Sequence, residues 1–358
     1  MKKSHVHKKV LFLLKFRQDS SGKIAKFNGV PLSSGLYNSA KFVVNMLKNF
    51  NVDVDIESVV DANDIDRMVT KYHPTDVIIE ALWVPPAKFG ELIKRHPNVK
   101  WIVRIHSELP FLANEGMAIT WLWEYLKYPN VSLAANSSDT TRDLRTLAIA
   151  KNPHWTISDD DHRILFLPNY YDFDLNTPHN IRPFGPNVNI GCFGAIRPMK
   201  NQLIQAVAAI TWAEWTDKNL MFHINVDRLE QNGEAVLKNL RATFVGTRHK
   251  LVEHAWLDHD KFMTLLKQMH MGMQVSLSET FNIVAADMVA SGIPIVVSDQ
   301  IEWSSQRSQA KATKMADILR VLLNNSVPEW AEETLVLNRL GLHNSNEVAI
   351  TQWLKHFK

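Results

Sequence analysis

The chain has 358 residues, enough for two domains of ordinary size. Hydrophobic residues make up 46% and charged residues 22%, which excludes a disordered or fibrous chain. A net charge of +3 does not by itself argue for nucleic acid, and a lone cysteine, Cys192, excludes an intramolecular disulfide and fits a reducing compartment.

Taken in chain order, the first half alternates strand and helix signals. The run VLFLLKF at 10–16 is short and broken by Lys15, so it reads as a first strand. It follows MKKSHVHKK but precedes RQDSSGK, which lacks a small-residue cleavage site, so it is not read as a secretion signal. No apolar run reaches transmembrane length, and the expected location is cytoplasmic. A polar loop with Gly22, Gly29, Ser33, Ser34 and Gly35 comes next. The spacing of Phe42, Val43, Met46 and Leu47 predicts a helix over 36–50. Strands are expected at 52–59, 76–81, 100–105, 131–135 and 163–166, with helices at 62–72, 89–94, 118–126 and 139–150 between them. Such alternation implies a parallel sheet with helices on both faces.

Residues 173–187, with Pro178, Pro183, Gly185 and Pro186, break the pattern and read as an interdomain linker. The alternation then restarts. Strands are expected at 188–193, 221–226 and 251–256, with helices at 202–212, 234–240 and 258–269. Asp258 is the expected N-cap of the last of these helices. Cys192 is expected as a buried strand residue. A helix at 312–323 and a final amphipathic helix at 346–357 complete the chain. The fold class is therefore α/β, with two Rossmann-like domains facing a central cleft. Ligands in such folds bind outside the carboxyl ends of the strands, which places the expected site in that cleft.

The most informative stretch is 276–298, SLSETFNIVAADMVASGIPIVVS. The apolar run Val275–Leu277 reads as a strand leading to Glu279. A helix starts near Phe281 and carries Asp287; Gly292 ends it, Pro294 follows, and 295–297 form a buried strand. A helix N-terminus in such a unit binds anions through its N–H groups. A carboxylate eight residues further on can accept hydrogen bonds from sugar hydroxyls. Phosphate and diol recognition side by side suggests a nucleotide-sugar.

This segment resembles the Glu-x7-Glu signature of retaining glycosyltransferases of the two-Rossmann-domain type (GT-B, family 4-like, glycosyl transferases group 1). Glu279, Phe281, Ala290, Gly292, Pro294 and Val296 match its pattern. Asn282 stands where glycine is usual, and Asp287 where the second glutamate is usual. Asparagine tolerates left-handed backbone better than most residues. The resemblance implies that Glu279 contacts the transferred sugar, that the N–H groups of Thr280, Phe281 and Asn282 hold the phosphates, and that Asp287 holds the ribose. Read from the residues alone, Glu279 is equally a surface carboxylate at a helix start.

Other segments resemble the same family. Gly194 to Asn201 (GAIRPMKN) is similar to its strand-end G-R-x-x-P-x-K-G segment, so Lys200 is implied to neutralise the donor diphosphate. The usual arginine position is Ala195, and Arg197 is the candidate for the missing charge. Without the resemblance, these residues read equally as a solvated basic turn. His106 resembles the strand-end histidine that faces the donor sugar, and Glu108 is a candidate to face the acceptor. Gly35 would allow close approach of the backbone to the donor, although Ser33 or Ser34 as a helix cap explains the same loop. Residues 134–144 and Leu167-Pro168-Asn169 match landmarks that carry little chemistry.

The resemblance divides the chain into an acceptor domain at 1–172, a linker at 173–187 and a nucleotide-sugar domain at 188–345. A last helix at 346–358 crosses back to the N-domain. No metal site is expected: His5, His7, His249, His254, His259 and His270 lack ligand spacing, and Asp159–Asp161 reads as a solvated or capping run. No cofactor is expected, since the implied family meets the diphosphate with cations and helix dipoles. The expected partners are a nucleotide-diphosphate sugar and an acceptor hydroxyl. The acceptor is a glycan or small molecule, or, as for the sugar-adding enzymes of phages, a hydroxymethylated pyrimidine in DNA. Lys23, Lys26, Phe27, Lys41, Trp121, Trp123 and Lys127 supply a basic and aromatic surface for the latter. A non-catalytic nucleotide-sugar binder is the alternative of a different class; an epimerase or phosphorylase of this fold fits the Glu279 segment less well.

Overall fold

The computed structural model describes residues 8–16, 26–27, 30–31, 35–151 and 163–358. Ser33, Ser34, Gly22, Gly29, Lys23, His5, His7 and Asp159–Asp161 lie outside the described residues. The chain divides into two compact units, 1–172 with 346–358, and 173–345.

The first unit runs β1 (Lys9–Lys15), β2 (Lys26–Phe27), β3 (Val30–Pro31), α1 (Gly35–Asn49), β4 (Asp53–Val59), α2 (Asp64–Tyr72), β5 (Asp76–Glu80) and α3 (Pro86–Arg95). It continues through β6 (Lys100–Ile105), α4 (Leu109–Leu112), α5 (Ala118–Leu126), β7 (Val131–Ala135), α6 (Ser138–Lys151) and β8 (Ile164–Phe166). Six strands form one parallel sheet in the order β4-β1-β5-β6-β7-β8. Both faces are covered, which is why β1 reads as an unbroken apolar run rather than an alternation. Leu11 and Leu13 join the core on one face, and Val10, Phe12 and Leu14 join the core on the other.

The second unit holds β9 (Asn187–Gly191), a 3-10 turn (Pro198–Lys200), α7 (Gln202–Trp215), β10 (Asn219–Asn225), α8 (Gly233–Phe244), β11 (Lys250–His254) and α9 (His259–Leu266). Then come β12 (Met271–Gln274), α10 (Ile283–Ala290), β13 (Ile295–Ser298), β14 (Gln309–Ala310), α11 (Met315–Asn324) and the first part of α12 (Pro328–Phe357), whose residues from 346 on belong to the first unit. Its parallel sheet has the order β11-β10-β9-β12-β13-β14. Residues expected as a linker pack on this unit: the Asn180 N–H donates to the Gly292 carbonyl at 3.0 Å, and its Nδ2 donates to the Lys267 carbonyl at 3.0 Å.

Three expectations need correction. Val275–Leu277 is loop, because β12 ends at Gln274. Its backbone bonds elsewhere: the Val275 N–H donates to the Gln205 side chain, and the Leu277 N–H to the Met199 carbonyl. Cys192 is buried but lies one residue past its strand. The last helix starts at Pro328, a residue suited to a first helical turn, not near 346. One continuous apolar face does not mark it, since it buries Leu335 and Leu342 in the second unit, then Ala349, Trp353 and Phe357 in the first. Gly341 lets it pass the Trp303 carbonyl, which a Cβ would approach to 2.0 Å.

Trp353 anchors that helix in the first unit. It is fully buried, its ring lies 5.6 Å from Phe12, and its Nε1 donates to the Pro168 carbonyl at 2.8 Å. Trp353→Ala is expected to destabilise the fold by about 3–5 kcal/mol through the cavity it leaves. Urea unfolding measures this; a loss within about 1 kcal/mol would contradict it.

Candidate functional site

Chain order in the second sheet reverses between β9 and β12, which lie side by side. A crevice opens at the carboxyl end of such a switch point, and the loops that follow the two strands line it. The loop after β9 is shaped by its own residues. Gly194 takes φ +115°, a conformation that favours glycine, and its N–H donates to Asn225 Oδ1 at 3.0 Å. Arg197 is extended, as a residue before proline must be. Pro198–Lys200 then makes one 3-10 turn, closed by Asn201 in the left-handed region at φ 58°.

That turn brings Lys200 to Glu279, 79 residues later, and Lys200 Nζ donates to Glu279 Oε1. Both side chains are largely buried, at 13% and 9% exposure. Arg197 belongs to the same loop but turns to another partner. Its Nη1 donates to Glu230 Oε2 at 3.1 Å, and Glu230 also accepts from Arg228 Nε at 2.6 Å. Glu230 and Arg228 were not expected; the charged run Arg228-Leu229-Glu230 after β10 is their sequence signal.

Thr280 and Phe281 lead into α10. Phe281 is buried, and its carbonyl accepts from Trp303 Nε1 at 2.7 Å. Asn282 is the N-cap at φ 61°, and its Oδ1 accepts from the Ala285 N–H at 3.0 Å. An asparagine thus fills a left-handed position where the resembling family has glycine, and it caps the helix as well.

Asp287 is buried on α10 and lies 3.1 Å from His259 Nε2, at the start of α9. The hydrogen bond to Asp287 raises the His259 pKa above its ordinary 6.5 against the opposing effect of burial. Asp258 caps α9 as expected, accepting from the Lys261 N–H at 2.9 Å. The raised pKa means that the pair's stabilisation is full below pH 6.5 and is lost as pH climbs through the His259 value. An NMR titration is expected to place His259 above 6.5, and Asp287→Asn to bring it down; a wild-type value at or below 6.5 would refute the pairing.

In the first unit, Glu80 ends β5 opposite Arg104 of β6, and His106 follows that strand. Glu80 and Arg104 are fully buried. Arg104 Nη1 donates to both Glu80 oxygens, at 3.0 and 3.1 Å; its Nε donates to the Leu167 carbonyl and its Nη2 to Asn169 Oδ1. Asn169, expected as a landmark that carries little chemistry, therefore holds a buried guanidinium. Burial pushes the Glu80 carboxyl up, but the charge of Arg104, with the hydrogen bond from His106, outweighs it and holds the carboxyl below its usual range. Burial lowers the His106 pKa, so its ring is neutral and Nε2–H donates to Glu80. Sequence reading missed Glu80 and Arg104 because they sit inside apolar strand runs.

Gly35 opens α1, and Glu108 occupies the N-cap position of α4. Trp121 and Trp123 pack against the first-unit core rather than forming an open aromatic surface. Among the described residues, no group of three or more His, Cys, Asp or Glu is placed to hold a metal ion. No helix among them is long and apolar enough to cross a membrane.

No family profile matches the sequence, and no curated protein matches it. Solved structures do match. An apo structure of OtsA superposes with a TM-score of 0.70 at 12% identity, covering 98% of each chain. A UDP-forming α,α-trehalose-phosphate synthase from Burkholderia vietnamiensis gives 0.68 at 11% identity, covering 99% of this chain and 97% of that one. An E. coli trehalose-6-phosphate protein bound with UDP-2-fluoro glucose gives 0.67 at 12% identity, covering 98% of each. The fold is that of the GT-B glycosyltransferases.

Proposed function

We propose that the chain is a retaining glycosyltransferase that moves a sugar from a nucleotide-diphosphate sugar to an acceptor hydroxyl. One observation carries the reading: the switch-point loops of the second sheet place Lys200 against Glu279 beside the N-terminus of α10. A cation, a carboxylate and a helix N-terminus are what a diphosphate joined to a sugar requires. On this reading, Lys200 leaves Glu279 for the donor phosphates, and Glu279 turns to the sugar hydroxyls. Arg197, with the N–H groups of Thr280, Phe281 and Asn282, adds to the phosphate site. Gly194 gives the donor room, and Asp287 holds the ribose. The diphosphate charge is met by protein groups, and no cofactor or metal is part of the reading. The acceptor is a glycan or small molecule, with a hydroxymethylated pyrimidine in DNA as the other class to screen. Cys192 is buried and unpaired with another cysteine, in keeping with the cytoplasm.

A thermal-shift and turnover screen with UDP-, GDP- and ADP-sugars tests the proposal. A selective shift with release of the nucleoside diphosphate is expected, and both should be lost in Glu279→Ala. Donor binding without release, even to water, would support the non-catalytic binder. No shift with any donor would overturn the reading.

A further inference from the structure

Beneath the Lys200–Glu279 pair lies a lattice of neutral amide side chains. Gln202 and Gln205 stand three residues apart on α7, on one face of the helix, and both are buried. Gln202 Nε2 donates to the Ala195 carbonyl at 2.9 Å. Gln274 Nε2 donates to the Phe193 carbonyl at 2.9 Å, and Asn282 Nδ2 to Gln274 Oε1 at 3.1 Å. Asn201 Nδ2 donates to the carbonyls of Val275, at 3.1 Å, and Ala312, at 2.8 Å. Gln205 has the central place. Its Nε2 donates to the Lys200 carbonyl at 2.8 Å, and its Oε1 accepts from the Val275 N–H at 2.9 Å. The buried Cys192 thiol, 3.6 Å away, donates to the same oxygen.

We infer that Gln205 is a positioning residue, which fixes the Lys200 turn and the Glu279 loop in one geometry through their main chains. The inference rests on the glycosyl-transfer reading and adds to it. The chemistry selects an amide. Only a group with both a donor and an acceptor satisfies a carbonyl on one loop and an N–H on the other, and a neutral one adds no charge beside a phosphate site. Gln205 is 1% exposed and Val275 is 0% exposed, so water does not replace the bond to the Val275 N–H when this side chain is removed. Without this link, the Leu277 N–H to Met199 carbonyl bond and the Asn201 bond to the Val275 carbonyl remain, and the two loops hold Lys200 and Glu279 in a broader range of positions. A displacement of about 1 Å in a reacting group is enough to cost on the order of 10²-fold in rate.

The test uses the full chain with UDP-glucose, GDP-mannose and ADP-glucose as probes, taking whichever the wild type turns over. Gln205→Met keeps the volume and removes both bonds. It is expected to lower kcat for nucleoside-diphosphate release by about tenfold or more, with KM changed less than about threefold. In a Lys200→Ala background the same substitution is expected to cost clearly less than in the wild type, because part of its effect passes through Lys200. Asn325→Ala controls for lost stability alone: Asn325 is a buried amide that donates to the Ile295 carbonyl at 3.0 Å, away from these loops. It is expected to lower the melting temperature and leave kcat unchanged. Should Gln205→Met fail to fold, Gln205→Leu, which also removes both bonds and adds no charge, is judged by the same outcomes. Wild-type kcat in the Gln205 variant overturns the inference alone. So does a full drop that persists without Lys200, or an equal drop in Asn325→Ala. A wild-type chain that neither binds nor turns over any of the probes overturns the functional reading, and this inference with it.

Discussion

Lys200→Ala is expected to cut nucleotide-sugar turnover by about 10²–10³-fold, the usual cost of removing one preorganised group that stabilises developing charge. On the proposed reading, the departing diphosphate gains negative charge in the transition state, and Lys200 is a cation that the fold holds at the switch point. Its largely buried position shields it from water, which strengthens its field on a bound phosphate once it has left Glu279. A second consequence separates this role from simple charge attraction. Without Lys200, the Glu279 carboxylate stays in place with no cation beside it and repels the donor. Lys200→Ala is therefore expected to weaken donor binding more than Lys200→Ala/Glu279→Gln does, while both variants remain slow. Steady-state kinetics with isothermal titration of the donor measure the two effects. Turnover within about twofold of wild type in Lys200→Ala would remove Lys200 from the site.

Glu80→Ala is expected to cost about 3–5 kcal/mol of stability, because it strands a fully buried guanidinium. Arg104 keeps its bonds to the Leu167 carbonyl and Asn169, and its place 5.2 Å from the Trp353 ring centre, but it loses its counter-charge. Replacing both residues with apolar ones of similar volume should cost far less, since a buried pair adds little once its desolvation is counted. The pH dependence has a definite sign. The Glu80 pKa is held below its ordinary 4.5, so its contribution to stability is present above that value and lost as pH falls through the folded pKa. Denaturant unfolding of the wild type and Glu80→Ala at neutral pH and below pH 4.5 tests this. The gap between them should narrow in acid; a gap that widens would reverse the assignment.

The fold was legible in the sequence wherever its cause is local. Buried parallel strands announce themselves as short apolar runs, and those at 100–105 and 131–135 were placed to the residue. Asp258 as a cap and Asn282 in left-handed backbone also follow from local stereochemistry. The run Val275–Leu277 misled because it has the composition of a strand, yet its N–H groups bond to Gln205 and Met199 rather than to a neighbouring strand. Composition reports a preference for burial, not the identity of the hydrogen-bond partner.

The sequence by itself determined the α/β class, the two runs of alternating strands and helices, and the loops that carry Lys200 and Glu279. These follow from hydrophobic periodicity and from the few residues that tolerate unusual backbone, both of which act over a handful of positions. Only the tertiary structure decided which groups meet. It joined Lys200 to Glu279 across 79 residues, turned Arg197 toward Glu230, paired Asp287 with His259 and buried Glu80 against Arg104. The physical reason is that a charged side chain inside an apolar run has no local partner. Its state depends on which strand or loop becomes its neighbour, and strand order is settled by the packing of the whole sheet, not by the residues on either side.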